Sequence, residues 1–252
     1  MRIATWNLER LKLGASAAGD YDQVLHSFDA DLLVVTEPGP GFLERFSDAV
    51  LSPPQRSGPA SPESWVALLG NSIQAHGIDL PYSRLAAAGW AEIGGRRVAL
   101  YGSVLPWNHH ALRQAPDVYG GEERPFTEIF DRAINEQVED VVVLQTEFGR
   151  RNVFWAGDFN HPLAGSLSGY VRHASIAIST SLVRLGMRAF NASAPNAHVG
   201  ANAIDLVCGP SELIAEVVGC PHPFAKGKPM SDHRGYCVSV EWPHATEVHV
   251  DN

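Results

Sequence analysis

Short apolar runs, each closed by polar or turn-forming residues, recur along this chain. The plainest is V-F-W-A-G-D-F-N at 153–160. Four consecutive apolar residues predict a strand buried on both faces. Gly157 frees the backbone to turn, and Asp158 and Asn160 stand at the C-terminal end. Period-2 alternation sends those two side chains to one side, about 7 Å apart along the chain. Gly, Asp and Asn also form turns, so a plain β-turn is the competing reading. Arg2–Trp6 predicts a strand with Ile3 and Thr5 facing opposite to Ala4 and Trp6. Leu32–Thr36 predicts a second buried strand, with Glu37 at its end before P-G-P-G. Shorter strands are expected near 65–69, 72–76 and 85–94, a clearer one at Arg97–Val104, and later ones near 187–191, 203–207, 214–218 and 236–242.

Three stretches read as helix. Asp20 and Gln23 resemble a capping box opening a helix over 21–29 with Val24, Leu25 and Phe28 inward. In Thr127–Phe148, Ile129, Phe130, Ala133, Ile134, Val138, Val141, Val142 and Gln145 keep a 3.6-residue period up to Gly149. A third helix covers roughly 175–185. Residues 51–64, rich in Pro, Ser and Gly, and 107–125, with His109 and His110, read as loops, the second long enough to serve a function. Strands and helices mix without a linker, which predicts one α/β domain over residues 1–252. The late strands lack intervening helices, so the sheet is expected to be mixed.

Composition narrows the function. The 252 residues are 45% hydrophobic and 19% charged, as in an ordinary globular chain. No apolar run approaches the ~20 residues of a membrane span. The opening M-R-I-A-T-W-N-L reads as a strand, not an export signal, which predicts a cytoplasmic protein. Cys208, Cys220 and Cys237 lack metal spacing and are expected to be free thiols. A net charge of −9 argues against broad coating of nucleic acid. It does not exclude a nuclease, because local charge and a bound cation can outweigh the global sign. Lys226 and Lys228, two of only three lysines, lie with Arg234 around Ser231-Asp232-His233. They form either a small cationic rim for phosphates or a solvated loop.

Four apolar runs end in polar residues: Trp6-Asn7-Leu8-Glu9, Val35-Thr36-Glu37, Gly157-Asp158-Phe159-Asn160 and Ser231-Asp232-His233. A fifth, Ala203-Ile204-Asp205-Leu206-Val207, sets one carboxylate inside an apolar strand. Burying it is costly without a partner, and a histidine N–H would serve. Carboxylates and amide carbonyls are hard ligands suited to Mg²⁺ or Mn²⁺, with room left for a substrate phosphate.

The ordered segments I-A-T-W-N (3–7), D-L-L-V-V-T-E (31–37), G-D-F-N (157–160), I-D-L-V (204–207) and S-D-H (231–233) resemble the endonuclease/exonuclease/phosphatase superfamily. The resemblance implies a four-layer α/β sandwich, two packed mixed sheets flanked by helices, with the site where sheet ends meet. It implies Glu37 as principal metal ligand, with Asn7, Glu9 and Asp232 close to the metal. It further implies Asp158 activating water, Asn160 holding the phosphate, and His233 stabilising the phosphorane oxygens, its ring oriented by Asp205. The sequence departs from the family where many members place a His or Tyr: that slot falls at Ser103 or Val104. Tyr101, Asn108, His109 or His110 are the candidates to supply the missing donor.

The expectation is a Mg²⁺- or Mn²⁺-dependent phosphoesterase, favouring a phosphodiester such as DNA or RNA and working as a monomer. The alternatives are a phosphatase of a small phosphorylated metabolite and, from another class, a catalytically silent binding module.

Overall fold

Two six-stranded sheets pack face to face among the described residues, which are 1–11, 17–39, 42–54, 64–76, 85–107, 125–165, 167, 169–198 and 201–243 of this computed structural model. The first sheet contains β1 (Arg2–Asn7), β2 (Leu32–Thr36), β3 (Val50–Leu51), β4 (Val66–Gly70), β11 (Ile214–Gly219) and β14 (Tyr236–Glu241), in the order β11-β14-β1-β2-β4-β3. The second contains β5 (Gln74–Ala75), β6 (Ala86–Ile93), β7 (Arg96–Val104), β8 (Val153–Asp158), β9 (Met187–Ala189) and β10 (Asp205–Pro210), in the order β5-β6-β7-β8-β10-β9. Each sheet has one parallel pair near its centre, β1 with β2 and β7 with β8; the other pairings are antiparallel. A small hairpin, β12 (Phe224–Ala225) with β13 (Lys228–Pro229), stands apart.

Alternation along the strands builds four layers. Ile3, Val34, Leu68, Leu100, Phe154 and Val238 meet between the sheets. Ala4, Trp6, Leu33 and Val35, on the opposite face of the first sheet, pack against Tyr21 and Leu25 of α1 (Ala18–Ser27) and Phe42 of α2 (Phe42–Arg45). Val153 and Trp155, on the outer face of the second sheet, pack against α3 (Phe126–Phe148) and α4 (Gly169–Arg184). The sheets come closest at Gly102, where a Cβ would lie 2.6 Å from Leu68 and 2.9 Å from Val34 and Val66. No helix among the described residues is long and apolar enough to cross a membrane.

Several expectations are corrected. α1 begins at Ala18, its N-cap Ala17 makes no side-chain cap bond, and Asp20 lies within the first turn, so the capping box does not form. α4 starts at Gly169, six residues before the expected 175, and α2 and the β12–β13 hairpin had no periodic signal. Val142 is 39% exposed, off the buried stripe of α3. Gly157 lies inside β8 and is not a turn residue; with φ +137°, a Cβ there would sit 2.1 Å from the Ser103 carbonyl oxygen. The chain bends at Asn160 instead (φ +58°), so strand alternation does not carry from Asp158 to Asn160. Asp205 is the first residue of β10, so that strand begins two residues later than the expected 203. The expected donors Asn108, His109 and His110 lie outside the described residues.

Candidate active site

The C-terminal ends of β1, β2 and β8 converge with the start of β10 and the approach to β14. β1 and β2 run parallel in register from Ile3 with Leu32 to Asn7 with Thr36, so Asn7 and Glu37 leave the first sheet together. Asp158 and Asp205 are direct cross-strand partners in the second sheet.

Asn7 joins the two halves. Its amide nitrogen donates to Asp158 Oδ2 at 3.0 Å and to Glu37 Oε1 at 3.3 Å. Its carbonyl oxygen accepts the Glu9 N–H at 2.7 Å, and this fixes which end of the amide faces the carboxylates. Glu9 Oε2 in turn accepts the Asp232 N–H at 3.1 Å. Asp158 Oδ1 accepts the Asn160 N–H at 2.9 Å, closing the turn that ends β8. Asp205 Oδ2 and His233 Nδ1 are 2.7 Å apart, and His233 Nε2 is 3.5 Å from Asp232 Oδ1. The sequence-expected residues Asn7, Glu9, Glu37, Asp158, Asn160, Asp205, Asp232 and His233 thus form one connected network. Glu9, Glu37 and Asn160 all have positive φ, 48°, 47° and 58°. Such backbone costs roughly 1–2 kcal/mol per non-glycine residue and clusters at functional sites.

Charge in this network is unbalanced. Burial pushes the Asp158 carboxyl up to about 7, reinforced by the neighbouring Asp205 charge and opposed by His233. Burial also raises Glu37, against the pull of Arg10, whose Nε lies 3.7 Å from Glu37 Oε2. Burial alone would lower His233, but Asp205 and Asp158, with the hydrogen bond to Asp205, together hold it well above the usual range.

Asp205 Oδ1 is buried without any hydrogen-bond donor among the described residues. Asp158, Asp205 and His233 bring ligand-type atoms within 4.8 Å of one another. A metal-ligating imidazole must be neutral, whereas this one is held protonated by its carboxylates, so the trio already contains its own cation. Glu37, a hard carboxylate destabilised by burial and only loosely paired with Arg10, is the better seat for a divalent cation. The excess of buried carboxylates over cationic groups fits such an ion.

At the slot of Ser103 and Val104 no substitute donor is found among the described residues. Ser103 Oγ donates to Gln137 on α3 and accepts from Trp155 Nε1, both at 2.8 Å. Tyr101 donates to Asp140 of α3, on the helix side of the sheet, which removes it as a candidate. Arg234 is also withdrawn from the rim: its guanidinium donates to the Asn196 and Cys220 carbonyls at 2.9 and 3.1 Å. Lys226 and Lys228 are exposed on the β12–β13 hairpin. Asn160 directs its amide nitrogen to the Leu105 carbonyl at 2.8 Å.

Sequence reasoning missed Arg10, Gln137 and His161. Buried His161 donates Nε2–H to the Pro106 carbonyl at 3.1 Å, and burial lowers its pKa to about 4. Its position directly after G-D-F-N was a signal that could have found it.

No known family's sequence profile matches the chain, and no curated protein matches it significantly. Solved structures do. The human Nocturnin catalytic domain with bound sulfate aligns at TM-score 0.64 and 14% identity, over 96% of this chain and 93% of that one. The endonuclease domain of TRAS1, a telomere-specific non-LTR retrotransposon, aligns at TM-score 0.62 and 12% identity, over 96% and 98%. D. rerio TDP2 complexed with single-strand DNA product aligns at TM-score 0.54 and 12% identity, over 96% and 99%.

Proposed function

We propose that this chain, whose fold is that of the endonuclease/exonuclease/phosphatase superfamily, is a divalent-metal-dependent phosphodiesterase acting as one domain. The observation that carries the reading is the Asn7 amide, which ties Glu37 of one sheet to Asp158 of the other beside the Asp205–His233 pair. The structural likeness to an endonuclease domain and to a protein holding a DNA product supports the same reading.

Asp158 is the general base. Its pKa of about 7 in the metal-free chain is matched to accepting a proton near neutrality. A water oxygen attacks phosphorus opposite the leaving oxygen and passes its proton to Asp158, and the phosphorus–oxygen bond to the leaving group breaks. His233, kept protonated by Asp205, directs Nε2–H at the charge gathering on the non-bridging oxygens. Asn7 orients Asp158 and Glu37, while Glu9 fixes the Asp232 backbone. Glu37 would hold the cation, Mg²⁺ or Mn²⁺, with Asn7, Glu9 and Asp232 around it. When bound, such an ion polarises the phosphoryl group and neutralises developing charge.

A second reading, a phosphatase of a small phosphorylated metabolite, draws on the withdrawal of Arg234, which leaves few cations for a polymer. Hydrolysis of single-stranded DNA, duplex DNA, RNA and small monoesters, with Mg²⁺ or Mn²⁺ and with Asp158→Asn as control, decides among the readings. Metal-dependent phosphodiester cleavage lost in the variant supports the proposal. Preference for a monoester favours the phosphatase, and a folded protein inert on every substrate is a binding module.

A further inference from the structure

Beside Glu37 runs a line of neighbouring cationic and aromatic groups that the proposed chemistry does not use. The Arg10 guanidinium carbon lies 4.9 Å from the centroid of the Trp65 ring. Trp65, 3% exposed, faces Trp107 with ring centroids 6.2 Å apart at 40°. Trp107 is only partly buried against the inter-sheet core. A path of cation and indoles therefore leads from the proposed cation seat to a half-open tryptophan.

The backbone before Trp107 is held with unusual completeness. Three successive carbonyls each receive a side-chain N–H: Val104 from Gln137 at 3.0 Å, Leu105 from Asn160 at 2.8 Å and Pro106 from His161 at 3.1 Å. The Leu105 N–H donates to the Asp158 carbonyl at 2.9 Å. Val104 is the register partner of Asp158, and Trp107 follows Val104 by at most ~11 Å of chain. Asn160 and His161 belong to the same strand end as Asp158. One short stretch thus places the base and the indole relative to each other, as a preorganised binding group requires.

Charge gives the reason for an aromatic contact. The chain carries a net charge of −9, Arg10 is shared with Glu37, and Arg234 is held by carbonyls. Affinity for a polymer from phosphate contacts is correspondingly small. Stacking needs no counter-charge and is sequence-tolerant, because every base has a π-face. That face is available only when the base is out of a duplex.

We propose that the Trp107 indole is a stacking platform for an unpaired nucleobase next to the scissile phosphate. Single-stranded nucleic acid is then the substrate class of the site. This rests on the phosphodiesterase reading, and the test separates the two.

Fluorescence anisotropy of the Asp158→Asn protein in Mg²⁺ measures binding of oligo-dT, oligo-U and an abasic backbone of equal length. Base-bearing strands should bind ~5-fold to ~10²-fold tighter than the abasic one, the range of one base–aromatic stack. Adding Trp107→Leu, which keeps apolar volume, should erase the difference, whereas Trp107→Phe should keep most of it. Melting curves confirm that each variant is folded. Equal affinity for abasic and base-bearing strands, or a preference that survives Trp107→Leu, overturns the platform. So does a failure to bind any strand. Hydrolysis of the abasic backbone by the wild-type protein in Mg²⁺ tests the phosphodiesterase reading independently, since that substrate offers nothing to stack.

Discussion

Replacing Asp158 with Asn should make the metal-free protein more stable while removing its activity. Asp158 is 2% exposed, and its carboxyl is pushed from the ordinary 3.8 up to about 7. Between those pH values the folded chain holds a proton that the unfolded chain releases, so stability falls as pH rises and then levels off above about 7. Each pKa unit corresponds to ~1.4 kcal/mol, which bounds the penalty at ~4 kcal/mol. An amide at 158 escapes that penalty but turns an N–H toward the Asn7 amide nitrogen or loses its bond to the Asn160 N–H, at a cost of about 1–3 kcal/mol. The expected net gain at pH 8 is ~1–3 kcal/mol, a rise of roughly 2–10 °C in Tm for a chain of this size. The assay is urea unfolding with EDTA at pH 8 and pH 5. At the lower pH only about a third of the wild-type penalty is present, so the gap should narrow. A variant no more stable than the wild type at pH 8, or an advantage undiminished at pH 5, would refute the reasoning.

Glu37→Gln should keep the fold and remove most Mn²⁺ binding in calorimetry, since an amide is the poorer hard ligand; unchanged affinity would take Glu37 out of the cation site. His233→Ala should lower turnover at least ~10²-fold, as loss of a charged transition-state donor does. Its folded pKa stands well above the usual histidine value, so its stabilising contribution is complete below pH ~6.5 and fades as pH rises through the folded value. A pH series of melting curves in EDTA should show the variant lacking that slope. Gly102→Ala should cost about 1–3 kcal/mol in denaturant midpoint, because its Cβ enters a space already filled by Leu68, Val34 and Val66. A neutral result would mean the sheets part there without strain.

The strands were legible because their faces are clean. Phe154 and Ala156 turn to the inter-sheet core while Val153 and Trp155 turn to the helices, so the run at 153–156 could only be a doubly buried strand. The residues meeting at the sheet ends were legible for a different reason: each follows directly on such a run. What lay hidden depends on distant contacts. Gln137 and Asp140 sit on the buried face of α3 as polar residues, and only the Ser103, Val104 and Tyr101 groups opposite them explain why. The left-handed backbone at Glu9, Arg10 and Glu37 has no glycine to announce it. Arg234 looked like a free cation because the carbonyls that hold it, at 196 and 220, are remote in sequence.

β14 is inserted between β1 and β11, so strands more than two hundred residues apart in the chain lie side by side. Asp232 and His233 are delivered on the approach to that strand, while Asn7 and Glu37 stand roughly two hundred residues earlier in the chain. During translation the reaction centre therefore has no partially competent form. A chain that stops before Ser231 carries Glu37, Asp158 and Asp205 but lacks Asp232 and His233 and leaves one edge of β1 bare. Such a fragment is expected to fold poorly and to lack the proposed reaction centre. The long sequence separation that closes the sheet also slows folding, because the loop must close before the contacts reward it.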